Sequence, residues 1–167
     1  MNLNRAMTLA EKFANELSPF CLRLQIAGSI RRQRLQVGDI DIVCLPSDPR
    51  GLRERVLKTH PRVLADGRQN LEVELKGGLR LDVWMASLGQ RTLFGDGGTN
   101  WGSLLLCRTG STSHNIFLVE TAKRMGLRWN PYWGIYDGMG HCIACETEEE
   151  IFKALKLDFV KPEARER

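Results

Sequence analysis

The residues best suited to chemistry are the acids of Asp39-Ile40-Asp41-Ile42. Residues i and i+2 of a strand project from one face with their backbones about 7 Å apart, so carboxylates at that spacing can converge on shared cations. A third acid, Asp82, lies in a second alternating run, where Leu81, Val83 and Met85 share one face and Arg80, Asp82 and Trp84 share the other. Carboxylates gathered from two strands are hard oxygen ligands of the kind that suit Mg²⁺ or Mn²⁺. Two such ions, about 3.5 to 4 Å apart, activate an attacking hydroxyl and neutralise a leaving pyrophosphate. A strand aspartate taken singly is ordinarily a solvated or ion-paired residue. The upstream Gly28-Ser29-Ile30-Arg31-Arg32 shifts the balance toward phosphate chemistry. Glycine lets backbone amides approach phosphate oxygens, a helix start favours an anion, and arginine adds bidentate charge.

Several elements must position these groups. Met7, Ala10, Phe13, Ala14 and Leu17 recur at helical spacing until Pro19 ends the pattern. Leu22, Leu24 and Ile26 alternate with polar neighbours, which predicts a strand running into the Gly28-Ser29 turn, and residues 39 to 45 form a strand with acid on one side. A helix is expected over residues 50 to 59. Two further strands, 71 to 76 and 79 to 85, flank the hairpin signal Gly77-Gly78. Residues 89 to 102 carry five glycines and no periodicity, and are expected to form a loop. Beyond them Thr109-Gly110-Ser111 precedes a helix closed by Gly126. Residues 127 to 145 are expected to hold short strands, and Thr147 with Glu150 is a capping box opening a last helix.

The string GSIRRQRLQVGDIDIV resembles the nucleotidyltransferase signature of the DNA polymerase beta superfamily, a Gly-Ser turn followed by a Gly-Asp-x-Asp strand. A second match narrows the resemblance to family X DNA polymerases. RTGSTSHN, residues 108 to 115, is similar to that family's Thr-Gly-Ser turn and helix start, and ETEEEIFKALKLDFVKPEARER is similar to its closing segment. The likeness runs from about Ile26 to the end. It implies that Asp39, Asp41 and Asp82 are catalytic and hold two Mg²⁺ or Mn²⁺ ions, with Arg80 orienting Asp82. It also implies that Gly28, Ser29, Arg32 and Gly38 contact the triphosphate. Cys107, Arg108, Thr109, Gly110 and Asn115 would border the nucleotide, with Asn115 at the base edge, and Arg31 would act in support. The implied fold is α+β, a nucleotidyltransferase palm of mixed β-sheet with flanking helices (1–105) followed by a small C-terminal α+β lobe (106–167) that closes over the nucleotide. The implied reaction is DNA-directed addition of deoxynucleotides from dNTPs to a primer 3′-hydroxyl on primer-template or gapped DNA, with gap-filling repair as the family expectation.

Two departures accompany the resemblance. Cys107-Arg108 stands where family members have an aromatic or Gly-Trp pair beside the sugar. Ile116 and Val119 stand where polymerase beta places basic residues facing the template. A chain of 167 residues also has no room for the family's lyase and helix-hairpin-helix domains, which predicts weak, salt-sensitive DNA binding. Two other readings stay open: a template-independent or RNA-end transferase of the same superfamily, and a nucleotide- or DNA-binding module without catalysis.

An intracellular, unsecreted product is expected, and a monomer. The chain is 43% hydrophobic and 26% charged, with no apolar run of membrane-spanning length and no secretory start. Its net charge of +4 suits an anionic partner without specifying one. Five cysteines without a secreted-domain spacing predict free thiols. His141, Cys142 and Cys145 form H-C-x-x-C, but a structural zinc needs a second ligand pair, so ordinary strand cysteines are expected. Trp129, Tyr132, Trp133 and Tyr136 either stack on bases or pack the small lobe.

Overall fold

Helix α1, Leu3–Leu17, opens the chain. The Asn2 side chain caps it by accepting the Arg5 backbone N–H at 3.0 Å, which starts the helix a turn before the apolar periodicity. Pro19 then sits in a short 3₁₀ turn, Ser18–Phe20. Strand β1, Cys21–Ile26, leads into α2, Gly28–Arg31, so the turn expected at Gly28-Ser29 is the first residue pair of a short helix. Strand β2 spans Asp39–Pro46, and α3, Pro49–Thr59, is capped by the Asp48 carboxylate accepting the Gly51 N–H. Three strands follow: β3, Val63–Asp66; β4, Asn70–Glu74; and β5, Arg80–Met85. The computed structural model describes residues 1–88 and 98–166, in two compact units, Met1–Met85 and Ala86–Arg167.

The first unit is a five-stranded mixed sheet in the order β1-β2-β5-β4-β3. β2 and β5 are parallel, and the other neighbours are antiparallel. Parallel neighbours need a crossover, and α3, β3 and β4 supply it. Ile40, Ile42 and Cys44 of β2 pack with Leu81, Val83 and Met85 of β5 and with Leu71 and Val73 of β4. Ala6, Ala10, Phe13 and Leu17 of α1 and Leu52 and Val56 of α3 complete this core. Each fully buried leucine or isoleucine contributes on the order of 1.5–3 kcal/mol. Strand alternation then sends Asp39, Asp41 and Asp82 to the opposite face.

The second unit holds α4, Trp101–Thr109; α5, Thr112–Arg124; and α6, Glu148–Ala154. Strands β6, Arg128–Asn130, β7, Gly134–Tyr136, and β8, Cys142–Ala144, form a three-stranded antiparallel sheet. Leu106 of α4, Leu118 and Ala122 of α5, Ile135 and Ala144 of the sheet, and Ile151 and Phe152 of α6 share its core. The capping box is present: Thr147 Oγ1 accepts the Glu150 N–H, and the Glu150 carboxylate accepts the Thr147 N–H. Both units mix helix and strand, so the α+β class holds.

The loop expected over residues 89 to 102 lies partly outside the described residues, and its last two residues belong to α4. The aromatics of residues 127 to 145 divide. Trp129 Nε1 donates to Ser103 Oγ at 2.8 Å inside the unit, whereas Trp133 is 62% exposed. All five cysteines are free thiols, and the His141 ring pairs with Asp137 at 3.2 Å. No helix among the described residues is long and apolar enough to cross a membrane.

Candidate active site

The parallel register of β2 and β5 aligns Asp39 with Arg80 and Asp41 with Asp82. Aligned residues on adjacent parallel strands share a face, with backbones about 4.8 Å apart, so Asp41 and Asp82 are direct neighbours. Asp82 is 9% exposed, while Asp39 and Asp41 are half-buried. Register with β4 adds Glu72 opposite Asp82 and Glu74 opposite Arg80 on the same face.

Arg80 ties this face together. Its Nη2 donates to Asp39 Oδ2 at 2.8 Å and its Nη1 donates to Glu72 Oε1 at 3.2 Å. Its pKa is raised above the ordinary guanidinium value, chiefly by the Asp82 charge, with Asp39 and Glu72 adding to it against a desolvation penalty. The hydrogen bonds of Arg80 therefore go to Asp39 and Glu72, and its influence on Asp82 is through charge. Trp84 Nε1 lies 3.4 Å from Asp41 Oδ1.

The Gly28 turn lies against Asp41. Gly28 has φ +59°, and a Cβ there would lie 2.0 Å from Asp41 Oδ2. Glycine is required on both grounds, because an L side chain is strained at that φ and would displace the carboxylate. Ser29 Oγ is buried and finds no hydrogen-bond partner among the described residues. A buried hydroxyl so placed is costly unless something else accepts its proton. Arg31 ends α2, and the Arg32 N–H donates to the Gly28 carbonyl at 3.2 Å. Gly38 is open, since a Cβ there would meet nothing within 4 Å.

The second set of sequence candidates lies within the second unit. Cys107, Arg108 and Thr109 end α4, and Gly110 caps it at φ +73°. Ser111 starts α5 by accepting the His114 N–H and donates its hydroxyl to the Arg165 carbonyl at 2.6 Å. Arg108 Nη2 donates to the Tyr132 hydroxyl at 2.9 Å with its guanidinium over that ring, and Asn115 Nδ2 donates to the Cys107 carbonyl at 2.8 Å. Asn115 Oδ1 is buried without a hydrogen-bond partner among the described residues. Burial pushes the Cys107 thiol pKa up, with the Arg108 charge working against it.

Glu72 and Trp84 are the members of the acidic face that spacing alone does not assign a role. The alternation Asn70-Leu71-Glu72-Val73-Glu74 carried the signal for Glu72, but its value depends on the register with β5. Among the described residues no group of three or more His, Cys, Asp or Glu stands arranged to hold a metal ion. Asp39 Oδ2 is taken by Arg80, and Asp41 Oδ1 faces Trp84.

Residues 104–166 match the family model of the DNA polymerase beta thumb. Over 165 residues the chain is 27% identical to the DNA polymerase/3′-5′ exonuclease PolX of Bacillus subtilis (strain 168), covering 96% of this chain. It spans only 28% of the length of that relative. The fold is similar to that of Leishmania infantum polymerase beta in a ternary P/T complex and in a ternary gap complex. The TM-score is 0.79 and the identity 16% in both, over 100% of this chain and 77% and 71% of those chains. Sequence similarity to PolX and fold similarity to polymerase beta both run over nearly the whole of this chain.

Proposed function

We propose that this chain is a metal-dependent nucleotidyltransferase that adds deoxynucleotides to a primer 3′-hydroxyl under the direction of a DNA template, as in the filling of gaps. The observation that carries this reading is the alignment of Asp41 with Asp82 on parallel strands, with Asp39 two residues away and a glycine whose missing Cβ leaves room for Asp41. Such chemistry calls for divalent cations. The chemistry of the donors suits them, because Asp39, Asp41 and Asp82 are hard oxygen ligands on one face of the sheet, although among the described residues the three do not stand gathered around a common point. Asp39, Asp41 and Asp82 would hold the ions, which when bound supply Lewis-acid stabilisation of the charge developing on the transferred phosphate.

The other roles belong to this chain's own groups. Asp82, the most buried of the three, lies nearest the attacking hydroxyl in this reading. The Gly28-Ser29 backbone, the Ser29 hydroxyl, Arg32 and Gly38 bind the triphosphate, Arg31 supports the turn, and Arg80 orients the acids. In the second unit Cys107, Arg108, Thr109, Gly110 and Asn115 border the nucleoside. Reaching a base edge requires Asn115 to exchange its bond to the Cys107 carbonyl for one to the base. Untemplated addition is the second reading, and it is favoured by Ile116, an apolar residue 53% exposed on α5 where a template contact would call for a cation.

The test is extension of a labelled primer on gapped DNA with Mg²⁺ or Mn²⁺, one dNTP or NTP at a time, beside an Asp82→Ala control. Addition of the template-matched deoxynucleotide that vanishes in the control supports the proposal. Addition regardless of template moves the assignment to a tailing enzyme, and no metal-dependent addition refutes it.

A further inference from the structure

The acidic face carries two further carboxylates: Glu74, which pairs with Arg62, and Glu72, which shares the Arg80 guanidinium with Asp39. We infer that Glu72 is a positioning residue for the acidic face: it shares the Arg80 guanidinium with Asp39 and so keeps Asp39 available to a divalent cation. The inference rests on the role proposed above for Asp39.

Glu72 lies opposite Asp82 and diagonal to Arg80 across β4 and β5, so its side chain and that of Arg80 leave the same face one pleat apart. The fork geometry is explicit, with Nη2 on Asp39 at 2.8 Å and Nη1 on Glu72 at 3.2 Å. A cation that uses Asp39 Oδ2 competes with Arg80 for that oxygen. A second carboxylate on the guanidinium offsets part of its charge and so weakens its hold on the first, and Glu72 is already in contact.

Charge leads to the same conclusion. Asp39, Asp41 and Asp82 carry three negative charges, and Glu72 offsets the positive charge of Arg80. With Glu72 neutral, Arg80 instead offsets one of the three aspartates and has Asp39 as its remaining hydrogen-bonded acid. Both effects weaken a divalent cation's hold. At these half-exposed positions water and salt screen the effect, so a loss of about fivefold in affinity is expected.

The experiment is titration of the full chain with Mn²⁺, followed by electron paramagnetic resonance or calorimetry, with no DNA or nucleotide present. Glu72→Gln should bind Mn²⁺ about fivefold more weakly than the parent and keep its melting temperature within about 2 °C, since Glu72 is half-exposed. Should the glutamine variant fold poorly, Glu72→Ser removes the same contact and should give the same loss. In an Arg80→Gln background the effect of Glu72→Gln should fall below about twofold, because Glu72 acts through Arg80. Unchanged affinity in Glu72→Gln, or an equal loss in both backgrounds, overturns the inference and leaves the proposed function standing. A parent with no saturable Mn²⁺ site sensitive to Asp82→Ala overturns both.

Discussion

Replacing Glu148 by alanine should be among the most damaging single changes in the second unit. Arg165 is 0% exposed, and its Nη1 donates to Glu148 Oε1 at 2.7 Å, while Nε donates to the Val160 carbonyl at 2.8 Å. Its guanidinium lies 5.5 Å from the ring centres of both Phe152 and Phe159. Removing the carboxylate breaks a buried ion pair, which costs about 3–5 kcal/mol. At roughly 3 °C per kcal/mol for a chain of this size, the melting temperature should fall by about 10 °C. The loss should extend to the Gly110-Ser111 turn, because the Arg165 carbonyl accepts both the N–H and the hydroxyl of Ser111. The check is thermal and urea unfolding followed by circular dichroism, with the double variant Glu148→Leu, Arg165→Met alongside. An apolar pair of similar volume should recover most of the loss, since replacing both partners removes both charges together. A single-variant shift below about 2 °C, or a double variant no better than the single, would refute this reasoning.

Three further outcomes are expected. Gly28→Ala should abolish primer extension and lower stability by about 1–2 kcal/mol from left-handed strain alone, with Asp41 displaced as well; single-turnover extension and a melt measure the two effects. Asp82→Asn should reduce the extension rate by about 10²–10³-fold while the melting temperature holds or rises, and chelation of the metal should reproduce the loss in the parent. His60, packed edge-on to Phe13 at 5.4 Å, has its pKa lowered below 6.5 chiefly by desolvation. The folded state then binds fewer protons than the unfolded state, so this contribution is complete above pH 6.5 and is lost as pH falls toward the depressed folded value. Urea midpoints between pH 7.5 and 5 should show the decline, and His60→Phe should flatten it.

Much of the first unit was legible because its strands alternate cleanly. Asp39-Ile40-Asp41-Ile42 and Arg80-Leu81-Asp82-Val83 each state which side is core, and the structure places those aliphatic residues against α1 and α3. Edge strand β3 was not legible: Val63, Leu64 and Asp66 are exposed, so it has no inner face to betray it. Helix α4 was hidden for the opposite reason. Residues 101–106 are all buried, which erases the amphipathic period, and Gly102 reads locally as a loop former. A Cβ at Gly102 would lie 2.3 Å from the Thr147 backbone, so this glycine serves close packing where its sequence neighbours suggested a loop. Within the candidate site the acids were evident, but the Arg80 bridge to Glu72 was not, since which residues face each other across strands is set by register and not by spacing along one strand.

The hairpin between β4 and β5 gives that register an engineering consequence. Gly77 and Gly78 both take positive φ, 88° and 80°, and the Leu75 N–H donates to the Leu79 carbonyl at 2.7 Å across the turn. Because side chains alternate strictly along β5, inserting or deleting one residue in this turn would swap the faces of that strand. Leu81 and Val83 would then stand where Arg80 and Asp82 now face β2, and an acid would enter the packed side. The turn acts as a length gauge for which side chains of β5 join the acids of β2, so loop grafting here should preserve residue count before residue identity.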